Sequence, residues 1–311
     1  QTPEDRQRIK GIIINKFRGD LRLFEDGRRM IEELCQVPVL GVVPYLEDIG
    51  VEDEDSVVLD KKQRSAKDDK VNVAVVKLRH LSNFTDFNAI EQDNRLNVYY
   101  TTEKEQLLRA DIIILPGCKA TIGDLRHLKE EGVADTIREA HRQGKTIFGI
   151  CGGYQMLGMS IDDPRKTEGD TIHIEGIGLL PMRTVMGEKK ITCQTEFTLA
   201  TNSNDMCKDG VKMRGYEIHQ GISTPIDKST YKPLTIKADG TPDGCIADSH
   251  CMGTYLHGCL DNAAMVDYLI GKKNTESFDF AEYKEQHYNR LADHIRKHVD
   301  MEKVYDILTR Q

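Results

Sequence analysis

The stretch Thr146-Ile-Phe-Gly-Ile-Cys-Gly-Gly-Tyr-Gln-Met-Leu-Gly158 constrains this chain more than any other, because an apolar run drives straight into a cysteine and then paired glycines. Such a run predicts a buried strand, and the residues from Gly152 onward predict the opening of a helix. A cysteine at that junction sits on a sharp turn at the carboxyl end of a sheet, the geometry of a nucleophile elbow. Gly149, Gly152 and Gly153 relieve the crowding that such a turn creates. The start of the helix offers free backbone N–H groups and the positive end of its dipole, which suit negative charge on sulfur or on an oxyanion. On the turn alone two readings stand for Cys151, a nucleophile or an ordinary buried cysteine, since free cysteine is among the most buried residue types.

Composition narrows the class. A chain of 311 residues is long enough for about two domains, and 39% hydrophobic with 30% charged residues reads as soluble and globular. The formal charge of -8 argues against nucleic acid as a partner, which would want a basic face. No apolar run approaches the roughly 20 residues of a membrane span, and no signal peptide is visible, so no membrane partner is expected. Eight scattered cysteines read as reduced thiols in a cytoplasm. Cys251, His257 and Cys259 superficially suggest a metal site, but no CxxC pair accompanies them and no metal is expected.

Along the chain, Gly11-Ile-Ile-Ile-Asn15 predicts a strand, Leu23 to Leu34 a helix, and Val37-Pro-Val-Leu-Gly-Val-Val-Pro44 a second strand before an acidic segment from Glu47 to Asp55. This is one parallel crossover unit, too small to bury both faces of its sheet alone, so residues 1–60 read as the end of an α/β domain whose front is missing. Residues 61–70 are polar without apolar periodicity and read as a linker. The second domain, 71–311, opens with Val71-Asn-Val-Ala-Val-Val-Lys-Leu78, and alternating strands and helices follow through Asp111-Ile-Ile-Ile-Leu115 to the elbow. That alternation predicts a doubly wound, mostly parallel sheet with ligands at the carboxyl ends of its strands, where Gly117 and Cys151 fall. From Thr171 shorter runs with glycine turns predict a more antiparallel later part, with strands over Ile174–Leu180, Ile191–Leu199, Val211–Gln220 and Pro233–Ala238. Alternation sets Glu217 and His219 on one face of a strand, where the pair serves a site or is merely solvated. Cys251 to His257 predicts another short strand. Ser277–Gln311 reads as charged helices that pack against the sheet or a partner domain. Gly144-Lys-Thr146 mimics the tail of a phosphate-binding loop, but it precedes a strand where such a loop must precede a helix.

Gly149-Ile-Cys-Gly-Gly-Tyr-Gln155 resembles the G-I-C-x-G-x-Q signature of the triad, or class I, glutamine amidotransferases, which release ammonia from glutamine through a cysteine thioester. Ser82-Asn-Phe-Thr-Asp-Phe87, Leu115-Pro-Gly-Cys-Lys-Ala-Thr-Ile-Gly-Asp-Leu125 and Gly215-Tyr-Glu-Ile-His-Gln-Gly221 are similar to motifs of the cobyric acid synthase family, and Gly253-Thr-Tyr-Leu-His-Gly258 resembles the motif of the amidotransferase histidine. The resemblance implies a flavodoxin-like glutaminase domain with Cys151 as nucleophile, His257 as base and acid, Gln155 on the substrate glutamine, and the Gly152 amide and the Gly117 turn around the oxyanion. Most triad amidotransferases follow this histidine with proline and glutamate, whereas Gly258 and Cys259 stand here. A Cys-His dyad is therefore expected, its orienting group unassigned. Asn15-Lys-Phe-Arg-Gly-Asp20 is similar to the end of the family's dethiobiotin-synthetase-like ATPase domain, which makes Asn15 an adenine-recognising candidate with a turn-forming asparagine as the equal alternative. By the same resemblance the longer protein uses ATP and Mg²⁺ to amidate carboxylates of a corrinoid, adenosylcobyrinic acid a,c-diamide. No cofactor is expected for this stretch alone. The rivals are cobyrinic acid a,c-diamide synthase and a non-catalytic glutaminase-like binding module.

Overall fold

The computed structural model describes residues 2–47, 65–200, 210–271 and 277–309. The expected acidic segment beyond Glu47 and the expected linker up to residue 64 lie outside the described residues. The chain divides into two compact units, Gln1–Val51 with Ala281–Gln311, and Glu52–Phe280.

In the first unit, helix α1 (Pro3–Arg8) starts from a capping box between Thr2 and Asp5, which satisfies two backbone amides of its first turn. Strand β1 (Ile12–Phe17), a single 3-10 turn, helix α2 (Glu25–Cys35) and strand β2 (Val39–Pro44) follow. β1 and β2 pair in parallel, as a crossover through a helix requires.

The second unit is built on strand β3 (Val71–Val76), helix α3 (Asn88–Gln92), strand β4 (Leu96–Thr101), helix α4 (Lys104–Arg109), strand β5 (Ile112–Leu115), helices α5 (Thr121–Glu130) and α6 (Val133–Arg142), strand β6 (Thr146–Ile150) and helix α7 (Gly152–Leu157). Val73 to Val76 and Ile112 to Leu115 are buried throughout, the mark of parallel strands covered on both faces. On α6 the buried residues Val133, Ala134, Ile137 and Ala140 fall at helical spacing, so one stripe meets the sheet. Strands β7 (Ser160–Asp162), β8 (His173–Glu175), β9 (Met182–Leu199), β10 (Met213–Pro225), β11 (Thr235–Lys237), β12 (Pro242–Asp243), β13 (Cys245–Asp248), β14 (Cys251–Thr254) and β15 (Leu256–His257) precede helix α8 (Ala263–Ile270).

The main sheet runs β13-β14-β6-β5-β3-β4, parallel except for the β13 edge. The later segments form a second sheet, β12-β11-β9-β10-β15, centred on the long β9–β10 hairpin, with β7 attached to β9 and β8 to β7. Of the strand expected over Ile174–Leu180 only its start is extended. The amides of Ile177 and Leu179 instead bond to the carbonyls of Met156 and Leu157, satisfying the end of α7. The strand expected from Cys251 to His257 breaks at Tyr255, so β14 lies in the main sheet and β15 in the second.

Two boundaries differ from the sequence expectation. Residues 65–70 are not a free linker: the Ala66 amide donates to Gln106 Oε1 at 3.1 Å and the Lys67 amide to Asn72 Oδ1 at 2.8 Å. The expected domain 71–311 ends early, because helices α9 (Phe280–His298) and α10 (Met301–Thr309) fall almost entirely in the unit that holds β1 and β2. The Asp300 amide donates to the Leu40 carbonyl at 2.7 Å, and Val299 joins Leu40 and Val43 in a small core that Met301, Val304 and Ile307 extend. The two-stranded sheet cannot bury its own apolar residues, and the C-terminal helices supply part of the missing cover. Among the described residues no helix is long and apolar enough to cross a membrane.

Candidate active site

The segments that follow β3, β5, β6 and β14, all at the carboxyl end of the main sheet, carry the site. Cys151 lies between β6 and α7 with φ 51 and ψ −108, a conformation that non-glycine residues rarely adopt and that marks functional turns. The turn is this tight because α7 rests on β5. A Cβ on Gly153 would stand 1.9 Å from the Leu115 carbonyl oxygen, so only glycine lets the helix approach. The cysteine is 7% exposed, and its Sγ faces the Ile218 carbonyl at 3.6 Å.

His257 is fully buried beside it. Its Nδ1–H donates to Asp86 Oδ2 at 2.7 Å, and the other carboxylate oxygen accepts the Gly258 amide at 2.8 Å. Asn83, itself left-handed at φ 52, sets its side-chain nitrogen 3.2 Å from His257 Nε2. The Tyr216 ring stacks on the imidazole with centroids 5.2 Å apart. A Cβ on Gly117 would lie 2.8 Å from His257 Cε1 and 3.7 Å from Cys151 Cβ, so that loop passes against both residues. Burial pushes the His257 pKa down, but hydrogen bonds and negative charge from Asp86 and Cys151 outweigh it and raise the value from 6.5 to about 10. That balance favours the protonated ring.

Two backbone amides stand beside that pair. The position of a Cβ on Gly152 is 3.2 Å from the Cys118 nitrogen. The bridge between Leu81 and Cys118 is made by Ser82 N–H to Gly117 O and Lys119 N–H to His80 O, which leaves the Cys118 amide out of it. The Gly152 amide opens α7, where no helix carbonyl reaches it. A cysteine on a strained turn, a histidine bonded to a carboxylate of its own, and two backbone amides close to them make up the set of groups that covalent acyl transfer uses.

Residues 72–265 match the family of CobB/CobQ-like glutamine amidotransferase domains. The chain belongs to that family. It is similar to cobyric acid synthase of Bacteroides fragilis, 50% identical over 311 residues, covering 99% of this chain and 61% of the relative. It is likewise similar to cobyric acid synthase of Phocaeicola vulgatus, at 48% identity over 99% of this chain and 62% of that protein. The chain thus spans about three fifths of the length of these relatives. Among solved structures, PurLQS from Thermotoga maritima aligns with a TM-score of 0.49 and 20% identity over 65% of this chain and 98% of that one.

Within this CobB/CobQ-like domain the sequence candidates divide. Cys151, His257, Gly117 and Gly152 come together. Gln155, 3% exposed on α7, donates its side-chain N–H to the Tyr255 hydroxyl at 3.2 Å. Glu217 and His219 do share a face, and both are buried rather than solvated. Glu217 does not touch His257; its carboxylate accepts Lys237 Nζ at 3.1 Å, with His219 Nε2 at 3.8 Å. Those partners, His219 first, hold its pKa below the usual carboxylate value against the opposing effect of burial. Asn15 lies in the other unit, exposed on β1, its Oδ1 accepting the amide of Lys16 at 2.8 Å. Gly144 turns directly into β6, so Gly144-Lys-Thr146 does not fit the phosphates of ATP. No group of three or more metal-ligating side chains occurs among the described residues. The residue that reasoning from sequence missed is Asp86. Its signal was in view, since it closes the Ser82-Asn-Phe-Thr-Asp-Phe87 run, but nothing local says which distant histidine that run meets.

Proposed function

We propose that this chain hydrolyses glutamine through a thioester on Cys151, and that in a longer protein the ammonia serves cobyric acid synthesis. The observation that carries the reading is the strained elbow cysteine beside the His257–Asp86 pair. The Cys151 sulfur attacks the side-chain carbonyl carbon of glutamine, and the oxyanion turns toward the Cys118 and Gly152 amides. The C–N bond breaks as His257 Nε2–H gives its proton to the departing nitrogen, which leaves as ammonia. A water then loses a proton to Nε2, attacks the thioester carbon and releases glutamate with the thiol restored. Asp86 keeps Nδ1 protonated and Nε2 aimed at the sulfur, so it takes the place of the glutamate that other triad amidotransferases carry two residues after the histidine.

In the longer protein the acceptors would be carboxylates of adenosylcobyrinic acid a,c-diamide, activated by ATP and Mg²⁺. The β1–α2–β2 crossover fits the end of a dethiobiotin-synthetase-like ATPase domain, with Asn15 its adenine-recognising candidate. Gly144-Lys-Thr146 does not fit phosphate and has no part in that nucleotide site. Cytoplasmic placement is supported by the seven described cysteines, all of them free.

Glutamate release from glutamine should proceed with this chain alone, and at the same rate with and without Mg-ATP. A strict requirement for ATP, or no glutamate and no thioester trapped at Cys151, overturns the reading. A second expectation concerns pH. Because the folded His257 pKa is raised from 6.5 to about 10, its contribution to stability is complete below the lower value and is lost as pH rises through the upper one. The same loss of the imidazolium proton sets the alkaline limb of kcat/KM near that upper value. Asp86→Asn removes the facing charge, so this limb should move toward neutral pH while the rate falls roughly 10²-fold or more. An unmoved limb in the variant overturns the role given to Asp86.

A further inference from the structure

Behind the nucleophile a chain of hydroxyl groups ends on the Gln155 carboxamide. The side-chain N–H of Gln155 donates to Tyr255 Oη at 3.2 Å, Tyr255 lies 2.7 Å from Ser223 Oγ, and Ser223 lies 2.7 Å from Thr184 Oγ1. A phenol has one proton, and here the acceptor side of Tyr255 is taken by the amide. Its O–H is left to bond with Ser223, and the Ser223 and Thr184 hydroxyls share the next bond. The hydroxyl chain holds the phenol oxygen where it accepts the Gln155 side-chain N–H. The phenol is itself clamped. The His219 ring stacks on it with centroids 3.8 Å apart, and His219 Nδ1–H donates to the Gly221 carbonyl at 2.8 Å. Burial raises the Tyr255 pKa, so the hydroxyl stays protonated and able to donate. Gly221 closes the other side, since a Cβ there would come within 2.3 Å of Gln155 Nε2.

We infer that Tyr255, oriented by Ser223 and stacked on His219, is a positioning residue that commits the Gln155 nitrogen inward and turns its Oε1 acceptor toward the substrate. The inference rests on the glutaminase reading above and adds to it a reason for selectivity. An acceptor presented beside the nucleophile recognises an N–H donor on glutamine. A carboxamide free to rotate would present donor and acceptor in turn and lose that distinction. The arrangement also gives buried Glu217 and His219 a task that does not involve His257, since they hold the ring that holds the amide.

The test compares Tyr255→Phe and Gly221→Ala with the unsubstituted chain for glutamine hydrolysis, while iodoacetamide alkylation of Cys151, mapped by mass, reports the nucleophile independently of glutamine binding. Tyr255→Phe keeps the stacked ring and deletes only the hydroxyl. Gly221→Ala leaves the Tyr255 hydroxyl in place and pushes the amide, with a lesser push on the Thr184 methyl. Both should raise KM for glutamine about tenfold, as expected for one lost hydrogen bond of about 1.4 kcal/mol. In both, kcat should stay within about threefold and Cys151 alkylation should be unchanged. A KM unchanged in both variants, or a fall confined to kcat, overturns the positioning role while leaving the glutaminase reading intact. Failure of the unsubstituted chain to hydrolyse glutamine overturns both. If either variant is unfolded by circular dichroism, the other decides.

Discussion

Cys151→Ala is expected to release no glutamate from glutamine and to form no thioester, because the substitution removes the sulfur that bonds to the substrate carbon in the proposed mechanism. The fold should survive. Alanine occupies the same left-handed backbone position at no greater steric cost than cysteine, the lost sulfur is small, and the glycines that admit α7 remain. Cys151→Ser should be nearly as inactive, since a hydroxyl is a far weaker nucleophile than a thiolate when the partner base is the same. Glutamate release coupled to mass spectrometry of the trapped intermediate checks both. Activity within a few fold of the unsubstituted chain would return Cys151 to a structural role. Mapping by peptide is needed in any alkylation assay because Cys35 and Cys193 are exposed. The thiols of half-buried Cys118 and of buried Cys245, Cys251 and Cys259 are pushed up by desolvation, Cys245 to about 12, and should react slowly.

His257→Ala carries the second large effect, a loss of roughly 10²–10⁴-fold in kcat/KM. The variant removes the proton donor to departing ammonia and the cation that faces the sulfur, and it leaves Asp86 as a buried carboxylate with only the Gly258 amide. Some destabilisation should therefore accompany the kinetic loss, and thermal melts separate the two. Glu217→Gln should be much milder, because that carboxylate is paired with Lys237 and does not reach His257. Near-total loss in both variants would make Glu217 a third member of the catalytic group, and an active His257→Ala enzyme would sink the proposed mechanism.

Much of this was legible in the residues, and the reason is locality. The elbow is specified within a few positions: an apolar strand, a cysteine and glycines small enough for the helix to lie on β5. The buried runs of β3 and β5 likewise name themselves as central parallel strands, and the carboxyl ends of β5 and β6 place Gly117 and Cys151 together. His257 was reachable because Gly253-Thr-Tyr-Leu-His-Gly258 resembles the amidotransferase histidine motif and because a short apolar segment ends on it.

What the sequence left open depended on partners far apart along the chain. Asp86 and His257 meet only because the loop after β3 and the segment after β14 emerge at the same end of one sheet, and no periodicity in either segment records the other. The dyad expected from the missing Pro-Glu pair gained its carboxylate in this way. Glu217 and His219 were correctly set on one face by alternation, but whether that face met water, His257 or Tyr255 was decided by the second sheet, whose strands β10 and β15 pair only after the chain breaks at Tyr255. The tail after Phe280 shows the same limit. Its helices are amphipathic and would suit any apolar sheet, and only tertiary packing assigns them to β2, where a two-stranded sheet leaves apolar surface to be covered. Local sterics are written residue by residue, whereas the choice among apolar faces and buried charges belongs to the whole chain.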